Sequence, residues 1–300
     1  MQVQPLHPVF VGPLFVGKVS GIDLSKPLTQ EQAKQIEAGM DRYGVLVFHD
    51  QQITDEQQMT FSRNFGELEV SSQGEMSKPG ELRLAIQMAD VSNLDERNQL
   101  RTRDDAKRLG SLGNRLWHSD ASFRAIPARY SLLSARVVPG TGGNTEFADM
   151  RAAHDALDAK TQAEIEDLIT EHSIAFSRAE LGFDAFPPEH QAKLHPVRHR
   201  LVTTHPGSGR KVLYLSAHIG TILGWPVPEA RAFIRDLMEH ATQPRFVYAH
   251  QWRVNDLVMW DNRATMHRVR RYADMAEIRD LRRTTTKCEG PTTEQALAAE

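Results

Sequence analysis

The spacing of apolar residues predicts two helices and one buried strand near the start of the chain. Thr29 and Gln32 form a capping box in front of a segment with helical spacing, and Gly44 ends it. The apolar segment 45–48 follows at once and is typical of a buried strand. A second capping box opens a shorter helix over residues 54–65.

Beyond residue 129 the pattern changes to short strands with helices between them. One helix is predicted over 151–170, with Asp149 as its cap, and another begins at Pro228 and ends near His240. Strands are predicted at YSLLSARVV (130–138), NTEFADM (144–150), LVTTH (201–205), KVLYLS (211–216), FVYAHQW (246–252) and LVMW (257–260). This order predicts a β-rich α+β fold, a sandwich or jelly-roll barrel with helical insertions.

Two long segments lack clear periodicity. Residues 66–115 are polar and charged, and a loop of this length inside a compact domain is usually disordered or a functional lid. We expect a lid, because the segment leads directly into the histidine motif described below. Residues 173–200 form a second candidate lid. We expect one domain over 1–288 and a disordered tail over 289–300.

The composition is that of a soluble globular protein. The 300 residues carry a net charge of −3, which gives no global electrostatic case for binding nucleic acid or a membrane. Cys288 is the single cysteine, which excludes disulfides within the chain and fits a reducing compartment. The first residues do not resemble a signal peptide, so we expect a cytoplasmic protein. The expected partners are a small anionic substrate and further copies of this chain.

The main chemical signal is a pair of histidines and a carboxylate in two motifs, LWHSDASF (116–123) and WDNRATMHR (260–268). His118 and Asp120 are two residues apart, so on a strand both side chains point to the same face. His267 follows another strand-like segment. Two histidines and one carboxylate on one face of a metal are the ligands of non-heme iron(II) oxygenases. Zinc hydrolysis with the same three ligands is an alternative, although zinc favours a tetrahedral site.

Arginines near the end of the chain offer a site for an organic anion. An iron centre of this kind usually takes 2-oxoglutarate, whose distal carboxylate needs a guanidinium and a hydroxyl. Arg279, 12 residues after His267, and Thr145 are candidates for these roles, and Arg283 could hold a second anion. The stretch 263–283 contains seven arginines, so a solvated charged face or a nucleic-acid patch is the alternative.

The chain resembles the taurine dioxygenase superfamily of iron(II)/2-oxoglutarate oxygenases, in particular its 2,4-dichlorophenoxyacetate dioxygenase branch. The resemblance runs from PLHPVF to RRTTT and is densest in four motifs. They are LWHSDASF, ARYSLLSARVVPGTGGNTEFADMRAAHDAL, THPGSGRK and FVYAHQWRVNDLVMWDNRATMHRVRRY. The resemblance implies a double-stranded β-helix fold, and it favours Arg279 as a binding residue over a solvated one.

The resemblance also implies a role for each site residue. The implied iron ligands are His118, Asp120 and His267. The implied 2-oxoglutarate residues are Thr145 and Arg279, with Trp260 packing beside them. Arg283 and His205 would face the substrate anion, and Asn114 would lie near the open coordination position. The cofactor would be Fe(II), with 2-oxoglutarate and dioxygen as co-substrates.

The lid departs from the pattern of the phenoxyacetate branch. These relatives are expected to carry lysines there that hold the substrate carboxylate. In this chain the approximately matching positions are Glu75 and Gln99, and Lys78 stands close to the first and would replace it after a small shift.

The expected reaction is hydroxylation of the carbon beside the ether oxygen of an aryloxyacetate. Collapse of the product gives a phenol and glyoxylate, while 2-oxoglutarate becomes succinate and CO2. A dioxygenase for a sulfonate, an alkyl sulfate or another small aromatic carboxylate would share the iron and 2-oxoglutarate residues. A non-enzymatic binding protein on the same barrel is a further alternative.

Overall fold

A computed structural model describes residues 1–5, 15–76, 82–183 and 194–293 and shows a β-rich fold with helices outside the sheets. The strands are β1 Gln2–Pro5, β2 Val16–Ser20, β3 Val45–Phe48, β4 Met88–Ser92, β5 Ala128–Val137, β6 Thr145–Asp149, β7 Ile169–His172, β8 Val197–Arg200, β9 Val202–Thr204, β10 Lys211–Leu213, β11 Ile219–Ile222, β12 Val247–His250, β13 Leu257–Asp261, β14 Thr265–Val269 and β15 Asp280–Lys287. The helices are α1 Gln30–Tyr43, α2 Asp55–Arg63, α3 Ser72–Met76, α4 Ala106–Ser111, α5 Met150–Asp155, α6 Ala159–Ile165, α7 Ile174–Ala179 and α8 Val227–Ala241.

The largest sheet has seven strands in the order β1-β2-β3-β13-β5-β15-β4. Its centre is antiparallel, with β13 between β3 and β5, and only β2 and β3 run parallel. Every residue of β3 and of β13 is buried, which is why both segments read as continuous apolar runs. The prediction of a β-rich protein is confirmed.

A second sheet, in the order β12-β6-β14, faces the large one across an apolar core. Phe147 and Tyr248 of the small sheet pack in one cluster with Val45, Val258 and Trp260 of the large sheet. Two β layers closed over one core are consistent with a jelly roll. The remaining described strands form two smaller sheets, β10-β9 and β11-β7-β8.

Both N-terminal helices begin as their sequences predict. Thr29 and Thr54 are N-caps of α1 and α2, and each forms the complete reciprocal capping box. Gly44 ends α1 with φ of 81°, a left-handed conformation that glycine adopts without steric cost. The helix predicted from Pro228 is also confirmed as α8.

The single helix predicted over 151–170 is wrong. The segment instead forms α5, α6 and the start of β7. Asp158 caps α6 by accepting hydrogen bonds from the backbone of Lys160 and Thr161, so it restarts the helix that ended after Asp155. Ile169 pairs with Arg200 of β8, and this sheet pairing overrides the helical spacing.

The prediction that 66–115 is irregular throughout is also wrong. This segment contains α3, α4 and β4, and β4 forms the edge of the large sheet through pairing with β15. In the second candidate lid, 173–200, the structure shows α7 and β8, and 184–193 lie outside the described residues. The strand predicted over 211–216 is shorter, because pairing with β9 stops at Leu213.

Packed structure continues past the domain end predicted at residue 288. The side chain of Thr292 is buried and hydrogen-bonds Nδ1 of His199 at 2.9 Å. The rest of the predicted tail, 294–300, lies outside the described residues. Among the helices that the structure describes, none is both long and apolar enough to cross a bilayer.

Candidate active site

His118 and His267 face each other across one isolated antiparallel bridge. The backbone N–H of each residue donates to the carbonyl oxygen of the other, at 3.0 and 2.9 Å. Directly opposed residues of an antiparallel pair project their side chains to the same face. The two imidazole rings therefore meet, with ring centroids 4.2 Å apart.

Asp120 completes the cluster from the start of a turn rather than from a strand. The prediction that His118 and Asp120 share a strand is therefore wrong in detail, although the two side chains still converge. Ala121 adopts a positive φ of 53°, which turns the chain away directly after the carboxylate. The Asp120 Oδ1 atom lies 3.8 Å from Nε2 of His118, and Oδ2 lies 3.6 Å from Nε2 of His267.

The three side chains form a buried site with the geometry of a metal centre. One ligand atom from each residue can be chosen so that all lie within 4.8 Å of one another. Burial lowers the pKa of both imidazoles, so both stay neutral with lone pairs available. Burial alone would raise the pKa of the Asp120 carboxyl. The positive charge of Arg283 and the hydrogen bond from Ser131 act against burial, and that pKa lies below its usual value.

Two residues that the sequence reasoning did not single out hold the carboxylate. Oδ1 of Asn262 accepts hydrogen bonds from the backbone N–H of Asp120 at 3.1 Å and from Nε1 of Trp260 at 3.0 Å. Ser131 donates to Oδ2 of Asp120 at 2.8 Å and accepts from Nδ2 of Asn262 at 3.0 Å. Asn262 stands inside the WDNRATMHR motif, which is the signal that could have found it.

Trp260 lies behind His267. Its ring centroid is 4.7 Å from that of the imidazole, and its side chain is 1% exposed. The ring of His118 is oriented by a hydrogen bond instead. Its Nδ1 donates to the carbonyl of Leu116 at 2.8 Å, which leaves the lone pair of the ring on Nε2. Trp260 therefore contacts His267, and it is not among the residues that line the cavity next to this cluster.

A cavity of about 490 Å³ opens on this cluster. Asn114, in the 3₁₀ helix Leu112–Arg115, lines it together with His118 and Asp120. The volume of this cavity lies in the range of small-molecule sites. Apolar residues from several elements form much of the remaining wall, namely Leu84, Met88, Leu94, Phe123, Ile174 and Val269.

Arg279 is a buried cation at one side of the cavity. It is 3% exposed, and no acidic side chain among the described residues pairs with it. Its Nη1 donates to the carbonyl of Val91 at 3.3 Å, and its Nε is buried without a hydrogen-bond partner in the described part of the chain. Burial lowers the pKa of Arg279 to about 10. A guanidinium in this state fits an anionic ligand.

Thr145 begins β6 opposite Val269, two residues along β14 from His267. Its side chain is buried, and its Oγ1 accepts a hydrogen bond from Nε1 of Trp252 at 3.0 Å. An indole N–H can only donate, so the hydroxyl hydrogen of Thr145 remains free to donate to another acceptor.

Arg283 also lines the cavity, but it is not free. Its Nη1 contacts Oδ1 of Asp120, so the carboxylate of Asp120 already balances the positive charge of Arg283. Arg283 is predicted to contact a substrate anion, and its guanidinium would do so while it is already paired with Asp120.

His205 does not join the site. Its Nε2 hydrogen-bonds Oδ2 of Asp261 at 3.0 Å, and its Nδ1 hydrogen-bonds Ser208 at 3.0 Å. Both His205 and Asp261 are fully buried away from the cavity wall. The position after a strand suggested a substrate contact, and the buried hydrogen bond to Asp261 explains the histidine instead.

The lid positions carry no described cation where relatives are expected to have lysines. Glu75 pairs through both carboxylate oxygens with Arg124, at 2.9 Å each. Gln99 is exposed and does not line the cavity. Lys78 lies outside the described residues.

The fold and the site define a non-heme iron enzyme, and comparison with known proteins agrees. Residues 2–285 match the family described as Taurine catabolism dioxygenase TauD, TfdA family. The chain is 46% identical over 282 residues to the alpha-ketoglutarate-dependent 2,4-dichlorophenoxyacetate dioxygenase of Cupriavidus pinatubonensis, covering 94% of this chain and 96% of the relative. It is 44% identical over 277 residues to the enzyme of the same name from a Burkholderia species, covering 92% and 93%.

A solved structure gives the same picture. The crystal structure of AAD-2 in complex with Mn(II) and N-oxalylglycine is 54% identical, with a TM-score of 0.87 and coverage of 97% of this chain and 100% of that one. The chain belongs to the TauD/TfdA dioxygenase family and is an oxidoreductase, as the sequence motifs predicted.

Proposed function

We propose that this chain is an iron(II)- and 2-oxoglutarate-dependent dioxygenase that cleaves aryloxyacetates of the 2,4-dichlorophenoxyacetate type. The observation that carries the proposal is the buried His118–Asp120–His267 cluster at the end of a cavity that also contains the unpaired guanidinium of Arg279. The two relatives named above, both called 2,4-dichlorophenoxyacetate dioxygenases, support the substrate class.

The donor set fits iron(II). Two neutral imidazoles and one ionised carboxylate occupy one side of a metal and leave its other positions for 2-oxoglutarate and dioxygen. When bound, iron and 2-oxoglutarate together reduce dioxygen, and 2-oxoglutarate is converted to succinate and CO2. The protein keeps the ligand set fixed through Ser131 and Asn262, which hold Asp120 in place.

Arg279 and Thr145 are the proposed 2-oxoglutarate residues. The Arg279 guanidinium would pair with the distal carboxylate, and the free hydroxyl hydrogen of Thr145 would donate to it. Trp260 acts indirectly in this scheme, through its contact with the His267 ring. Arg283 keeps Asp120 ionised and borders the side of the cavity that the substrate would enter.

The proposed reaction balances as follows. An aryloxyacetate, 2-oxoglutarate and dioxygen give a phenol, glyoxylate, succinate and CO2. One oxygen atom enters succinate, and the other is inserted into a C–H bond of the carbon between the ether oxygen and the carboxylate, which gives a hydroxyl group on that carbon. The resulting hemiacetal breaks its bond to the ether oxygen, which leaves with the aryl group as the phenol.

We propose the finer features of the family for this chain as well. These are a double-stranded β-helix as one domain, with the segment 66–115 as the lid, because that segment supplies β4, α4 and Asn114 to the cavity wall. A cytoplasmic location and assembly into a homo-oligomer are also proposed. Size-exclusion chromatography with light scattering tests the assembly.

The bond from Trp252 to Thr145 gives a prediction about co-substrate binding. Trp252→Phe removes the only N–H donor of the indole, so the Thr145 hydroxyl loses its fixed orientation. We expect 2-oxoglutarate to bind roughly 3- to 10-fold more weakly, the value of about one hydrogen bond. An anaerobic titration of the iron–2-oxoglutarate absorption band measures this. Unchanged affinity would show that the bond does not orient the hydroxyl.

The experiment that tests the proposed function is a substrate screen. Purified protein loaded anaerobically with iron(II) receives 2-oxoglutarate, dioxygen and a panel of aryloxyacetates, sulfonates and alkyl sulfates. We expect succinate and a phenol in equal amounts with aryloxyacetates, and no stimulation by the sulfur compounds. Succinate formation stimulated only by a sulfonate or sulfate would assign the chain to another substrate of the same family.

A further inference from the structure

One arginine of the cavity wall has no role in the proposed function. The arginines that line the cavity are Arg83, Arg101, Arg115, Arg178, Arg279 and Arg283. Four of them face a carboxylate, namely Arg83 with Asp90 and Asp280, Arg101 with Asp105, Arg115 with Asp274, and Arg283 with Asp120.

Arg178 and Arg279 are the two that differ. Neither forms an ion pair with any residue in the described ranges, and burial lowers the pKa of each guanidinium. Arg279 is buried and Arg178 is half-buried, and withdrawing a cation from water without a matching anion costs stability, so these two guanidinium groups fit two anionic groups on the ligands. Arg279 is assigned to the distal carboxylate of 2-oxoglutarate, which leaves Arg178.

Arg178 lies on the side of the cavity formed by α7 and the 3₁₀ helix that carries Asn114. Its guanidinium packs directly on Gly113, where an added Cβ would lie 1.7 Å from Nη1. Ser177, the residue before Arg178, hydrogen-bonds Nδ1 of His218 at 2.8 Å, and the ring centroid of His218 lies 6.1 Å from that of His118, so this part of α7 lies beside the metal site. Ile174, one helical turn earlier, shares its face of α7 and lines the same cavity.

We propose that Arg178 binds the carboxylate of the primary substrate. This inference rests on the proposed function and names a cation, among the described residues, for the role that lid lysines are expected to have in the phenoxyacetate branch. In an aryloxyacetate the carbon to be oxidised is bonded directly to the carboxylate, so the cation that holds this group must lie beside the metal site. Arg178 meets this requirement, and Ile174 and Phe123 supply an apolar wall for the aryl ring.

The assignment predicts a loss of binding that depends on the charge of the ligand. The probes are phenoxyacetate and its uncharged amide, and the readout is the shift of the iron–2-oxoglutarate absorption band under anaerobic conditions. Arg178→Gln should weaken phenoxyacetate binding by at least about 30-fold, as expected when one partner of a buried charge pair is removed. Binding of the amide and of 2-oxoglutarate should change by less than about threefold.

Two further variants keep the test decisive. Arg101→Gln removes another cavity-lining guanidinium, one that Asp105 already pairs at 3.1 Å, and should leave phenoxyacetate affinity within about threefold. Arg178→Met keeps much of the apolar stem that packs on Gly113 and repeats the comparison if the glutamine variant does not fold.

The possible outcomes are distinct. Selective loss of phenoxyacetate binding in the Arg178 variants supports the assignment. Equal loss of acid and amide would show that Arg178 only maintains the cavity, and no loss would show that another group holds the carboxylate. Either result overturns the inference while the dioxygenase function stands. A wild-type protein that neither binds nor turns over aryloxyacetates would overturn the proposed substrate, and this inference with it.

Discussion

Replacing His267 with alanine is expected to reduce turnover by orders of magnitude while the protein stays folded. In the proposed metal site the ring would supply one of three fixed ligand atoms, and water cannot replace it in the same geometry. The imidazole projects from β14 toward His118 and Asp120, and its Nδ1 forms no hydrogen bond with any described residue, so its loss leaves the sheet pairing intact. Asp120→Ala should have the same effect, and it also leaves Arg283 without its partner.

The measurement combines anaerobic iron(II) binding, the rate of succinate formation and thermal unfolding for each variant. His240→Gln is a matched control, because His240 hydrogen-bonds a backbone carbonyl in another part of the fold and glutamine can keep that bond. Wild-type iron affinity and turnover in His267→Ala would remove this residue from the metal site.

Removing the Arg279 guanidinium is expected to weaken 2-oxoglutarate binding severely. The distal carboxylate would be buried without its partner, at a cost of roughly 2–5 kcal/mol. This corresponds to a dissociation constant higher by about 30- to 4000-fold. Arg279→Lys should recover only part of the loss, because an ammonium does not reproduce a bidentate fork.

An anaerobic titration of the iron–2-oxoglutarate absorption band measures the effect of Arg279→Ala. Arg271→Ala is the control from the same arginine-rich stretch, since that side chain is exposed. Iron affinity should be unchanged in both variants. If Arg279→Ala binds 2-oxoglutarate as the wild type does, the co-substrate carboxylate is held elsewhere.

The parts of the site that the sequence predicted are those encoded by short contiguous motifs. His118, Asp120 and His267 were found because ligand chemistry limits the residue types, and the bridge between the two histidines brings the motifs together. The turn at Ala121 was missed, because a positive φ at a non-glycine residue leaves no pattern in the sequence. His205 was misplaced, because the position at a strand end does not say which buried partner the ring will meet.

The regions that the sequence could not resolve depend on tertiary contacts. β4 lies in a polar segment and becomes a strand because the edge of β15 is available for pairing. The helix predicted over 151–170 failed because its last residues begin β7, which has sheet partners on both sides, in β8 and in β11. Arg178 gave no signal at all, since its distinguishing features are a half-buried position in the cavity wall and the lack of an acidic partner among the described residues.

The central claim, oxidation of the substrate at the carbon beside the ether oxygen, is tested most directly with isotopically labelled dioxygen. Phenoxyacetate, 2-oxoglutarate and iron(II)-loaded protein are incubated under ¹⁸O₂, and the products are analysed by mass spectrometry. The account predicts one ¹⁸O atom in succinate and none in the phenol, because the phenol keeps the original ether oxygen. Labelled phenol would mean attack at the aryl carbon, and unlabelled succinate would mean that 2-oxoglutarate is not the co-substrate; either result contradicts the account.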